Sequence, residues 1–183
     1  MTLDVSVYLS EKAYYNLGQE PLDIAYNYLD QALGDLSSSY SLTKGTDYFD
    51  ASKDYNGDGT SGSDSCVDLE DFEEFLLGRY DSSGTANHVV TYGDWTCNPG
   101  SNGYSSWSSN AEDIAELSKD PETYHEDTTT GAQAITGVLH EVGHSLLVGE
   151  YNECDDYIDD PDDGDVIYLK HLWSNCFDNH TVG

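Results

Sequence analysis

Residues 130–149 read TGAQAITGVLHEVGHSLLVG, and the rest of the chain is best understood outward from them. Ala134, Ile135, Val138, Leu139, Val142 and Leu146 recur at steps of three and four residues. That spacing gathers them on one face of a helix, as a stripe that has to leave water. Thr128, Thr129 and Thr130 offer hydroxyl oxygens to the unpaired amides of a first turn. Gly149 tolerates the left-handed backbone that ends a helix. A helix of about 16 residues is therefore expected, apolar along the side that meets the core.

Flanking segments supply the partners. Leu3, Val5, Val7 and Leu9 alternate with polar residues, the period of a strand. Leu22, Ala25, Leu29, Ala32, Leu33 and Leu36 follow Pro21 at helical spacing. A second strand is expected over 46–51, and a helix over Leu69, Phe72, Phe75 and Leu76 that ends near Gly78. His88 to Trp95 (HVVTYGDW) reads as a strand, 97–109 as a Gly/Ser/Tyr/Trp-rich loop, and Ala111 to Leu117 as a short helix. After an acidic loop at 150–164, a last helix is expected from Asp165 to about Ser174. Strands followed by helices without repeat or linker point to an α+β fold, a single domain over residues 1–183 with a mixed sheet.

The long helix carries chemistry as well as core residues. His140 and His144 are four apart and so lie one above the other on one face. Two imidazoles so placed can hold one zinc ion, and Glu141 between them can reach a water on it. Such a water is a nucleophile, with Glu141 as the catalytic base that takes its proton. Zinc of this kind usually has three protein ligands. Glu150 is the first choice for the third, although on an unbroken helix it lies rotated by about 240° from His144 and reaches the metal only if the helix breaks at Gly149. Glu153, Asp155, Asp156, Asp165 and His171 are the alternatives. Tyr151, Tyr157, Tyr168 and His171 are candidates to stabilise a developing oxyanion. Substrate is expected to lie extended along an edge strand beside this helix, with 88–95 as that strand.

The charge is extreme: 36 acidic residues against 6 basic ones among 183, a net charge of −30. The excess runs along the whole chain, so the surface repels itself at low salt and suits near-molar salt, the setting of a halophile. It disfavours nucleic acid and anionic membrane as partners, and a monomer is expected. No apolar run reaches the length of a membrane span. The opening MTLDVSVYLS lacks the basic-then-apolar pattern of a signal peptide. The chain then reads either as an exported, trimmed domain or as a cytoplasmic protein. Four cysteines at wide spacing are expected to pair Cys66–Cys97 and Cys154–Cys176, which favours the extracellular reading.

His140-Glu141-Val142-Gly143-His144 resembles the H-E-x-x-H signature of zincin metallopeptidases. Within them, Glu150 at the position of a third ligand resembles the metzincins. Asp165 to Trp173 (DVIYLKHLW) is similar to the run that closes their matrixin branch. Leu147 stands where metzincins have the glycine that turns the chain, and the only methionine is Met1. The resemblance implies a zinc-dependent endopeptidase with a zincin-like domain, acting on a protein or peptide. A different class stays open: a non-catalytic, metal-stabilised binding or structural module.

A second motif precedes the Phe72 helix. Asp54-Tyr55-Asn56-Gly57-Asp58-Gly59 matches the opening of a calcium loop, with Asp54, Asn56, Asp58 and the Thr60 carbonyl as oxygen donors for Ca2+. At the twelfth position stands Ser65 instead of glutamate, with Asp64 one residue early and Glu70 late. An acidic surface turn explains the same residues equally well.

Overall fold

The computed structural model describes residues 3–36, 39–77, 85–93, 96–97, 100–102, 104–121 and 130–146. The chain begins with strand β1 (Leu3–Leu9), helices α1 (Glu11–Leu17) and α2 (Glu20–Leu36), and strand β2 (Tyr40–Lys44). Helix α3 (Leu69–Leu77) and strand β3 (Ala86–Val90) follow. Strands β4 (Gly100–Asn102) and β5 (Ser105–Ser108) precede helices α4 (Ala111–Ala115) and α5 (Thr130–Leu146). The sheet runs β2-β1-β3-β5-β4; the first four strands are parallel, and β4 is antiparallel to β5. This is the expected mixed sheet with helices, made mostly of parallel crossovers.

Side chains alternate across the sheet and so divide the core in two. On one face Val5, Val7 and Leu9 of β1 and Val90 of β3 join the apolar sides of α2, α4 and α5. On the other, Tyr8, Val89 and Trp107 meet Phe49 and the Phe72, Phe75 and Leu76 side chains of α3. All five residues of β3 are buried, as a strand covered on both faces requires. Trp107 is a packing residue of the aromatic cluster.

Several boundaries differ from the sequence reading. The second strand is Tyr40–Lys44, not 46–51. Phe49 makes only a single bridge to Ser10, its amide donating to the Leu9 carbonyl at 3.2 Å. The pull of its ring into the aromatic cluster outweighs continued pairing. Helix α1 was not foreseen; Ser10 caps it by accepting from the Ala13 amide at 3.2 Å, and Ala13 is its buried residue. The 97–109 segment is not wholly loop, since β4 and β5 lie within it. The strand expected over 88–95 stops at Val90. α3 and α5 fall where expected. The last helix lies outside the described residues.

Cys66 and Cys97 form a disulfide, as expected, joining the approach to α3 to the segment after β3. Cys154 and Cys176 lie outside the described residues. Among the described residues no helix is long and apolar enough to cross a membrane.

Phe49 is fully buried, with ring centroids 5.2 Å from Phe72 and 5.5 Å from Phe75, both edge-on. Phe49→Ala is expected to cost about 3–5 kcal/mol in denaturant unfolding, and Tyr15→Ala, at a 76% exposed position, less than about 0.5 kcal/mol. Equal, small effects would refute the second core.

Candidate active site

Helix α5 is fixed before its polar residues come into play. Ala132, Ile135, Val138, Leu139 and Val142 are buried in the larger core, and the helix packs on β3, β5 and α4. Its start is pressed against α4: a Cβ on Gly131 would stand 2.8 Å from the Asp113 carbonyl oxygen, so no larger residue fits. Thr130 Oγ1 donates to the Asp113 carboxylate at 3.1 Å. Thr136 and Ser145 return their hydroxyls to the Ala132 and Glu141 carbonyls four residues back, at 2.8 and 3.2 Å, so neither needs a partner from outside the helix.

His140 and Glu141 lie near the end of this anchored helix. The His140 side chain is 18% exposed and that of Glu141 is 7% exposed. His140 Nε2 stands 3.9 Å from Glu141 Oε1, too far for a hydrogen bond. It is close enough for one small group to touch both. His144 lies one turn further along the helix backbone; its side chain is not among those described. Glu150, Glu153, Asp155, Asp156, Asp165 and His171 all lie outside the described residues, as do Tyr151, Tyr157 and Tyr168. Among the described residues no three His, Cys, Asp or Glu side chains form a ready metal-holding group. The donor chemistry of the two described residues still fits zinc: imidazole nitrogen is a common zinc ligand, and a carboxylate stands 3.9 Å from it.

The substrate-flanking strand needs correction. β3, expected in that place, pairs with β1 on one side and β5 on the other and has no free edge. β4 is the outer strand next to α5.

His88 settles into a structural role. It is fully buried on β3, with Nδ1 2.8 Å from Ser106 Oγ and Nε2 2.9 Å from Ser108 Oγ. Hydroxyls can donate or accept, so both ring nitrogens of a neutral imidazole are satisfied. Burial pushes its pKa down to about 3.

Asp54, Asn56, Asp58 and Thr60 lie together in the loop between β2 and α3, mostly exposed. The Thr60 hydroxyl, and next its amide, hold the Asp58 carboxyl below its ordinary range.

Comparison with protein-family models, with curated proteins and with solved structures matches none of them. The class that the fold defines is therefore architectural: a mixed α/β fold on a four-strand parallel sheet with an antiparallel outer strand.

His88 yields a pH prediction. Its folded pKa lies below the unfolded value of about 6.5, so the unfolded chain binds the proton first. The stabilisation is complete above that value and is lost as pH falls toward about 3. Unfolding free energy measured between those limits should fall up to about 1.4 kcal/mol per pH unit more steeply in the wild type than in His88→Gln. Equal slopes would show that His88 is not the group responsible.

Proposed function

We propose that this chain is a zinc-dependent endopeptidase of metzincin character. His140, His144 and a donor beyond α5, with Glu150 the first choice, hold the metal, and Glu141 is the general base. One observation carries the reading: a half-buried imidazole and a nearly buried carboxylate, 3.9 Å apart, at the end of a helix anchored along its length.

Zinc, when bound, supplies a polarised carbonyl and a water whose pKa approaches 7. The remaining work falls to side chains. His140 offers its Nε2 lone pair when the ring proton sits on Nδ1. Glu141 accepts the proton of the attacking water and returns it to the departing amine. Its low exposure strengthens both interactions, because little bulk water screens them. An extended peptide added along the outer edge of β4 would lie beside α5, its backbone paired as one more strand. The acidic surface of the chain fits activity in concentrated salt.

The test is made in about 2 M NaCl, where surface charge is screened within a few ångströms. The full chain is expected to bind one equivalent of zinc and to cleave casein. Glu141→Gln should keep zinc and lose about 10²–10⁴-fold in kcat/KM. His140→Ala should lose zinc. Full-rate cleavage by Glu141→Gln would refute the assignment. Zinc binding that raises the unfolding temperature without cleavage would make the chain a metal-stabilised module instead.

A further inference from the structure

The loop before α3 meets a carboxylate of that helix that the sequence pattern did not point to. Its backbone already turns as a cation loop must. Asp54 accepts from the amides of Gly57 and Gly59, at 2.5 and 2.9 Å. Asn56 accepts from the Asp58 amide at 2.9 Å, and Asp58 from the Thr60 amide at 2.7 Å. Gly57 and Gly59 have φ of 78° and 90°, a region that side chains other than glycine's rarely occupy.

The acid that would close the loop is not at the twelfth position or next to it. Asp64 is committed elsewhere, accepting from the Ser10 hydroxyl and, at 3.2 Å, from the Tyr92 amide. Glu70 is exposed on α3. Asp71, one residue on, is 1% exposed. Its Oδ1 accepts from the amides of Tyr55 and Asn56, at 2.6 and 3.0 Å, which holds the carboxylate against the loop. Its Oδ2 is buried and, among the described residues, has no hydrogen-bond partner. An idle carboxylate oxygen out of water is costly unless a cation meets it.

We propose that this loop binds calcium through Asp54, Asn56, Asp58 and the Thr60 carbonyl, and that Asp71 from α3 supplies the closing carboxylate. The site is independent of the peptidase reading. These are all oxygen donors, and with water they reach the six to eight that calcium takes. Asp54 and Asp58 are now folded onto loop amides. A carboxylate has about four acceptor positions, so those bonds survive when the outer lone pairs turn to a cation. Asp71 precedes Phe72 of the aromatic core, so binding ties the loop to that core.

The experiment titrates CaCl2 calorimetrically into full-length protein in about 2 M NaCl, which suppresses diffuse binding to the acidic surface. The protein is first stripped with chelator and reloaded with one equivalent of zinc, so that calcium is read alone. The expected result is one saturable calcium per chain and a raised unfolding temperature. Asp71→Asn should bind at least tenfold more weakly, and Glu70→Gln as the wild type does. Asp58→Asn, altered at an exposed position that does not threaten folding, should also bind at least tenfold more weakly. No saturable binding by the wild type, or wild-type affinity in Asp58→Asn or in folded Asp71→Asn, would overturn the proposal.

Discussion

Ile135, Val138, Leu139 and Val142 of α5 leave water in one cluster with Val5, Val7 and Val90 of the sheet. Each such side chain contributes about 1.5–3 kcal/mol, so the four on α5 together fix the helix with an energy on the order of 10 kcal/mol. That anchoring decides the rest of the site. It sets the rotation of α5, and the rotation sets where the neighbouring polar residues emerge. His140 and Glu141 stand at the margin of the buried stripe, one partly in contact with water and one nearly removed from it.

The sheet beneath depends on polar residues in an unusual place. β5 reads Ser-Ser-Trp-Ser, and all four residues are buried. Three serines make a poor strand by composition, because small hydroxyl side chains fill little of a core and compete for backbone bonds. Here two of them flank His88, which has no route to water and so needs both ring nitrogens satisfied. The histidine and the serines thereby explain one another across two adjacent parallel strands. Trp107, pointing to the opposite face, supplies the apolar anchor that the serines lack.

The aromatic cluster does similar work for the loop before α3. Phe49, Phe72 and Phe75 draw the two ends of a long connection to one place, and the disulfide from Cys66 to Cys97 holds its far side. The Asp/Gly-rich turn is therefore bounded by packed structure. Asp71 lies where this packing meets the turn, facing backbone amides of the loop and next in sequence to a core phenylalanine.

Periodicity alone was enough to find α3, α5 and the first strand, because each carries an apolar stripe long enough to stand out from its neighbours. Spacing alone also singled out His140, Glu141 and His144, since a four-residue interval on a helix has only one geometric meaning. The Cys66–Cys97 pairing was legible from the loop it closes. The serine strand, the shift of the second strand from 46–51 to Tyr40–Lys44, and the interior position of β3 were not legible. Each depends on what lies across the sheet, and a strand's neighbour is absent from its own sequence. Asp71 escaped notice for the same reason: it reaches the loop through the packing of α3, not through a fixed count of residues. Local pattern thus determined α2, α3 and α5 and singled out two histidines and a glutamate as candidates for chemistry. Tertiary packing decided which strands sit inside, which edge is free, and which carboxylate faces the loop, because those outcomes depend on long-range burial that no single segment encodes.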